Sequence, residues 1–323
     1  MKLPKTNPEQ VGAFTTFPEN LSARKQLFEE VYPNVVELCQ KLGFKNPPDE
    51  ILWNLWLPLT MELARAKKEL DRPLIQGILG GQGTGKTTLT KVISLILSHL
   101  DYSTIGISID DLYKTYEARE KLKQKDSRLI WRGPPKTHDI QLGIEVLNAL
   151  RDPNRKTPVF VPRFDKSLHH GAGDRIEPEK VEKVDIILFE GWFVGVQPVA
   201  NTVFDNPPHP IITSEDKAFA KDMNKALKEY LPLWEKLDRL IVLYPIDYRL
   251  SKQWRKEAEQ KMIATGKTGM NDGEIDRFVE YFWCALHPEL FITPLTKNSK
   301  FTNLVIEILP NHSPGKVFIP KLQ

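Results

Sequence analysis

The sequence has almost no disulfide chemistry: its 323 residues include two cysteines, Cys39 and Cys284. Two thiols build no disulfide framework, and both sit in apolar helical patterns, so they read as core thiols of a protein kept in a reducing compartment. Long apolar runs are missing as well. Val92–Leu97 is interrupted by Ser94 and falls far short of the roughly 20 residues that cross a bilayer, so no membrane partner is expected. The first residues, Met1-Lys2-Leu3-Pro4-Lys5, show neither the apolar core of a secretory signal nor the Arg/Ser bias of a transit peptide, and a cytoplasmic protein is expected. Charge of one sign is not in excess: 45 Lys and Arg against 42 Asp and Glu leave a net charge of +3. That balance argues against a nucleic-acid partner, which shows as a concentrated basic surface. There is no internal repeat and no low-complexity tract. What remains is the composition of a soluble globular protein, long enough for one large domain and an extension.

Residues 1–20 read as irregular. From Ser22 a helical pattern runs through Leu27, Phe28, Val31, Val35 and Leu38 to Gly43, with Pro33 predicting a kink or a split. A second helix follows Pro47-Pro48-Asp49, with Trp53, Trp56, Leu59 and Leu63 on one stripe and a bend at Pro58. These form an N-terminal helical extension over 1–72. Over 73–323 strands and helices alternate, the pattern of an α/β fold with a parallel sheet. Strands are expected at 74–79, 104–109, 158–162, 184–189 and 238–244. Helices are expected at 86–99, 139–150, 215–236, 247–264 and 273–286. The runs Leu304–Leu309 and Val317–Ile319 are candidates for a further edge. Ala264–Gly273, rich in Gly, Lys and Thr, reads as a mobile connection.

The organising stretch is Gly80-Gly81-Gln82-Gly83-Thr84-Gly85-Lys86-Thr87, followed by Thr88. It fits G-x-x-x-x-G-K-[ST] at every fixed position, after an apolar strand and before a helix. The glycines let successive backbone N–H groups face one anion, and the helix dipole adds positive potential there. Lys86 reaches terminal phosphates and the Thr87 hydroxyl ligates Mg²⁺, so ATP and Mg²⁺ are the expected cofactors.

Other polar residues fall where strands end, the ligand edge of an open α/β sheet. Asp110, in Ser108-Ile109-Asp110-Asp111-Leu112-Tyr113, suits a base that orients an attacking hydroxyl and takes its proton. Capping the next helix is the competing role, and Asp111 is assigned to it or to an outer-sphere magnesium contact. Glu190 ends the nearly continuous apolar run Val184–Phe189 as a Walker B acid does, and is assigned to Mg²⁺ through water or to polarising a ligand water. Trp192 and Phe193 read as packing residues. Arg132 and His138 on one polar stretch, and Arg163, Asp165, Lys166 and Arg175 on another, place cations and hydrogen-bonding groups at the same edge. Arg suits bidentate capture of a carboxylate, and Asp139 is alternatively a helix N-cap. Arg255, on the helix near 247–264, is placed to close over phosphates as a lid. From the residues alone the acceptor stays open among small alcohols such as pantothenate, a nucleoside or a sugar phosphate, and an ATP-binding regulator is the non-enzymatic alternative. A guanine-nucleotide switch is disfavoured because Asn224-Lys225-Ala226-Leu227 lacks the aspartate of Asn-Lys-x-Asp.

Taken together, the loop, Ser108–Tyr113 and Leu188–Gly191 resemble the P-loop kinases that include uridine kinase, phosphoribulokinase and pantothenate kinase. In that group the position of Asp110 is the base. Arg132-Gly133 with His138-Asp139, Val161–Ser167, Gly173–Arg175, Phe189–Trp192, and Gln253–Arg255 with Gly269-Met270 are similar to the plant and cyanobacterial D-glycerate 3-kinases over about residues 74–290. The resemblance implies a P-loop NTPase fold with a parallel five-stranded sheet between helices, and ATP-dependent conversion of D-glycerate to 3-phosphoglycerate, the closing step of photorespiration. On that reading Tyr113, Arg132, His138, Arg163, Asp165, Lys166 and Arg175 join Asp110 around the substrate, with Arg163 or Arg175 on its carboxylate and Lys166 and His138 as secondary candidates for it. The oligomeric state is left open.

Overall fold

The computed structural model describes residues 3–14, 21–264, 266 and 269–321. Its strands are β1 (Leu74–Gly80), β2 (Thr104–Ser108), β3 (Val159–Asp165), β4 (Asp174–Val181), β5 (Ile186–Gly191), β6 (Arg239–Pro245), β7 (Leu304–Ile308) and β8 (Pro314–Phe318). Six of them form one sheet in the order β2-β5-β1-β6-β7-β8, and β3 and β4 form a separate ladder. Within the sheet β2, β5, β1, β6 and β7 run parallel, and β8 returns antiparallel beside β7. The chain is therefore an α/β protein with five parallel strands, but one member differs from expectation: β7 takes the place assigned to 158–162.

The reason lies in connection and burial. β3 pairs antiparallel with β4 after a short turn, whereas parallel pairing needs a long crossover. β3 also alternates, with Phe160 57% exposed between buried Val159 and Val161. β1 and β5 are apolar on both faces, as strands covered on both sides must be. Alternate residues serve two cores: Ile75, Leu79, Ile187 and Phe189 enter one, and Leu74, Ile78, Ile186 and Leu188 the other.

The N-terminal extension joins the second core: Phe28, Val31, Trp53 and Leu63 pack in the cluster that holds Ile78 and the helix residues Val92 and Ile93. The first long helix, Leu21–Lys41, runs through Pro33 without splitting. The second is three consecutive pieces, with Leu52–Trp56 in π register between Asp49–Ile51 and Leu57–Lys68. Pro58 offers no N–H, and its ring meets the carbonyl of Asn54 four residues back; the wider turn relieves that conflict. Residues 1–20, expected to be irregular, include a short helix at Pro8–Val11, while 1–2 and 15–20 lie outside the described residues.

The helix after the loop occupies Lys86–His99, as its periodicity requires. The expected helix 215–236 is broken at Leu227–Tyr230 into a 3₁₀ turn before Leu231–Trp234, where Pro232 cannot continue the hydrogen-bond ladder. The helix expected to serve as a lid spans Leu250–Ala264, and Asp272–Ala285 follows it. The connection expected to be mobile lies partly outside the described residues, at 265, 267 and 268. Cys39 is buried and Cys284 half-buried; burial pushes their thiols up to about 11 and about 12. Among the described residues no helix is long and apolar enough to cross a membrane.

Candidate active site

Sheet order brings the polar strand ends together. β5 lies between β1 and β2, so Glu190 is in register with Ile78 on one side and Ser108 on the other. Adjacent strands are about 4.8 Å apart, which leaves the chain ends leading to Gly80 and Asp110 about 10 Å apart with Glu190 between them. They open onto one cleft of about 770 Å³, whose lining includes Gln82, Gly83, Lys86, Thr87, Asp110, Tyr113, Arg132, Lys166, Glu190 and Arg255.

The loop is held by its own backbone. Gly83 and Gly85 adopt φ of +79° and +87°, the left-handed region that glycine enters without strain. A Cβ on Gly83 would stand 2.6 Å from Cβ of Trp254, so only glycine lets the lid helix seat there. Trp254 is buried and its indole donates to the Pro310 carbonyl at 3.0 Å. The Thr84 hydroxyl and the Lys86 ammonium donate to the Gly81 carbonyl at 2.8 and 3.0 Å. Gly85 caps the helix without a side chain, leaving the first N–H groups open to an anion. Burial pushes the Lys86 ammonium below its ordinary value, opposed by the nearby carboxylates Glu190 and Asp110.

Thr87 is exposed at the start of this helix, and Thr88 beside it is half-buried. Glu190 presents Oε2 buried and without a hydrogen-bond partner. Its carboxyl is raised by burial, with Lys86 opposing and Asp110 adding to the shift. An acid with a buried, unclaimed oxygen in the same cleft as an exposed threonine fits a magnesium ion. That ion keeps most of its shell as water and phosphate oxygen and takes only one or two protein ligands.

Asp110 faces the cleft from a 3₁₀ turn capped by Ser108 and Asp111. Asp111 is thus the cap: its Oδ2 accepts from the Ser108 N–H at 3.0 Å. Asp110 Oδ2 pairs with Lys166 Nζ at 2.5 Å, and the Tyr113 hydroxyl donates to the same carboxylate. Burial pushes the Asp110 carboxyl up, but the Lys166 ammonium, the Tyr113 hydroxyl and the His138 ring hold it below the usual carboxylate value.

Four residues expected at the substrate stand elsewhere. Arg163 donates to Asp111 Oδ2 at 2.8 Å, to Glu179 and to the Gly106 carbonyl, so it braces the β3–β4 ladder against the sheet. Arg175 donates to the Tyr113 carbonyl at 2.8 Å and to Asp139 Oδ2 at 2.9 Å, while Asp139 caps the helix Ile140–Arg151. Asp165 accepts from the N–H and hydroxyl of Ser167 and shapes the turn between β3 and β4. His138 stacks against Tyr113, with ring centroids 4.6 Å apart, and its Nδ1 is hydrogen-bonded to the Tyr230 hydroxyl at 2.8 Å. Burial depresses its imidazole to about 3, so it is a neutral support for the tyrosine and no cation. All four lost their assigned task to a local carboxylate, a turn or a ring, which spacing in the chain does not reveal.

The cations left facing the cleft from the acceptor side are Lys166 and Arg132. Arg132 donates to the Gly171 carbonyl and lies over the rings of Tyr113 and Phe164. On the lid, Arg255 pairs with Glu259 at 2.8 Å, while its Nε is buried and unpartnered. Aromatic rings that composition did not mark as functional complete the walls: Trp131, Phe278, Phe282 and Trp192. Trp192, expected to be packing, therefore faces the cleft and donates to the Gly133 carbonyl at 3.2 Å, whereas Phe193 is core. Trp131 directly precedes Arg132 but carries no functional signal of its own, and Phe278 and Phe282 lie outside the motifs.

No protein-family model matches the chain. It is 32% identical over 219 residues to the chloroplastic D-glycerate 3-kinase of Arabidopsis thaliana, covering 65% of this chain and 46% of that protein, so it spans about half of that relative's length. It is 32% identical over 225 residues to a probable ATP-dependent kinase of Saccharomyces cerevisiae, covering 65% of this chain and 75% of that one. A solved D-glycerate 3-kinase from Cryptococcus neoformans superposes with a TM-score of 0.68 at 26% identity, over 80% of this chain and 95% of that one. The fold, the loop and these relatives agree on a small-molecule kinase. The chain belongs to the P-loop kinases related to uridine kinase and pantothenate kinase, in the branch that holds the D-glycerate 3-kinases.

Proposed function

We propose that this kinase transfers the γ-phosphoryl group of ATP to the primary hydroxyl of D-glycerate. The carrying observation is Asp110, a half-buried carboxylate in the same cleft as the phosphate loop and flanked by cations that suit a small carboxylate acceptor. The relatives named D-glycerate 3-kinase support the acceptor. Lys86 and the open N–H groups of the loop bind the β- and γ-phosphates. Thr87 and Glu190 would hold Mg²⁺, which when bound neutralises phosphate oxygens. Asp110 orients the acceptor hydroxyl and takes its proton as the oxygen bonds to phosphorus and ADP departs with the electrons of the broken bond. Lys166 and Arg132 bind the acceptor carboxylate, Tyr113 positions Asp110, and Arg255 closes from the lid toward the phosphates. The aromatic walls exclude water from a reaction in which water is the competing acceptor.

The same rings favour a second reading, a nucleoside acceptor held by stacking. Coupled ADP release across D-glycerate, uridine, pantothenate and ribulose 5-phosphate separates the two. D-glycerate should give the largest kcat/KM; no stimulation by D-glycerate overturns the proposal, and strongest stimulation by uridine replaces it with the second reading.

A further inference from the structure

Two cations of the β3–β4 ladder meet the aspartate pair, and they are held in opposite ways. Arg163 has three partners, one of them the half-buried Asp111, and its departure would take the ion pair from a carboxylate left with the Ser108 N–H. Lys166, at the tip beyond β3, pairs with Asp110, and its side chain is 61% exposed against 23% for Asp110. Its backbone is anchored nonetheless. Asp165 ties the turn to Ser167, and Arg119 and Arg132 hold the carbonyls of Ala172, Gly173 and Gly171 on the far side of the tip. A fixed stem with a solvent-borne ammonium can exchange one carboxylate for another at little cost, because the new ion pair replaces the old one. The other groups around Asp110 are the Tyr113 hydroxyl, neutral His138 behind it, and Lys86 and Glu190 across the cleft.

We propose that Lys166 is a latch on the base: without acceptor its ammonium occupies Asp110, and the carboxylate of the acceptor releases Asp110 by taking the lysine. The proposal rests on the acceptor and base assigned above, and adds to them how the enzyme avoids wasting ATP. A free Asp110 beside bound ATP could activate water. The water oxygen would bond to the γ-phosphorus, the bridging P–O bond would break with its electron pair on ADP, and the proton would pass to Asp110 and then to solvent, leaving ADP and phosphate. With Lys166 on the carboxylate, that proton acceptor is engaged until a carboxylate-bearing alcohol arrives. The latch thereby also discriminates D-glycerate from glycerol, which has the same primary hydroxyl and no carboxylate.

The test is ATP hydrolysis without acceptor by full-length Lys166→Met, Lys166→Gln and Lys166→Arg, with D-glycerate binding measured by calorimetry in the absence of ATP. The Met and Gln variants should hydrolyse ATP about tenfold faster than wild type, raise KM for D-glycerate about tenfold while kcat holds within a few-fold, and weaken its Kd in step. Their preference for D-glycerate over glycerol should collapse, and Lys166→Arg should keep hydrolysis low. Hydrolysis by the Met and Gln variants no faster than wild type overturns the latch, as does an equal rise in the Arg variant. Because hydrolysis is read without acceptor, the result is separate from the fate of the D-glycerate assignment, which fails only if D-glycerate does not stimulate wild-type ADP release.

Discussion

The phosphate edge and the acceptor edge of the cleft are built by opposite means. At the phosphate edge eight consecutive residues, Gly80 to Thr87, lead into a helix start, and on the proposed function only Lys86 and Thr87 among them contribute side chains. At the acceptor edge nothing is consecutive. Asp110 follows β2, Arg132 lies on a loop, Lys166 tops the β3–β4 ladder and Trp192 follows β5. A backbone device tolerates little change, since Gly83 has Trp254 against it. Side chains on separate elements can change one at a time without loss of the fold. The difference teaches that, on the proposed function, reaction class is carried by a contiguous stretch, while acceptor identity is carried by dispersed side chains that packing must assemble.

The sharpest test of that division is Asp110→Asn. It should lower kcat by about 10²–10⁴-fold, with ATP affinity by equilibrium titration unchanged; equal loss of both would show that the edges are not separable. Next, Glu190→Gln should raise the Mg²⁺ concentration for half-maximal rate by roughly 10–100-fold. Binding of nucleotide without metal should be left nearly intact. An unchanged Mg²⁺ requirement removes Glu190 from the metal.

Smaller effects separate the arginines within the acceptor edge. Arg132→Met should raise KM for D-glycerate about tenfold, whereas Arg163→Met should act on stability, costing about 1–3 kcal/mol because Asp111 loses its ion pair and keeps only the Ser108 N–H of the two bonds to its Oδ2. Denaturant melts and initial rates on both variants distinguish them, and the reverse pattern would return Arg163 to the substrate. The smallest effect is in pH. Burial holds His138 at about 3 and His287 at about 4, below the ordinary 6.5. The unfolded chain takes up protons below 6.5 and the folded chain does not. Their contribution is therefore fully present above that pH and lost as pH falls through 6.5 toward 3–4, at up to about 1.4 kcal/mol per pH unit for each histidine. Melting temperature followed from pH 7.5 to 5 should fall in the wild type and fall less in His138→Gln; parallel curves would dismiss the histidine.

How much was legible follows the same division. The helix Lys86–His99 and the ends of β1 and β5 were readable because apolar periodicity and a fixed motif are local. The position of 158–162 was misread because a half-exposed antiparallel strand and an edge strand of a parallel sheet share one apolar pattern. Only pairing with Asp174–Val181 tells them apart. Arg163 and Arg175 had the right chemistry for a carboxylate. What decided their roles was which carboxylate lay nearest, Asp111 and Asp139, contacts across 52 and 36 residues of chain. His138 carried no sign in sequence that Tyr113 and Tyr230 would enclose and neutralise it.

By itself, the sequence determined the phosphate loop, the alternation that makes a parallel α/β sheet, and the acids placed where strands end, because each depends on neighbours within a few residues. Only the tertiary structure decided that β5 inserts between β1 and β2 to set Glu190 between Asp110 and the loop. It also decided that the β3–β4 ladder stands apart from the sheet, and that Lys166 rather than Arg163 reaches the cleft. Those outcomes depend on strand order and on competition among distant charges, and free energies of that kind have no counterpart in local spacing.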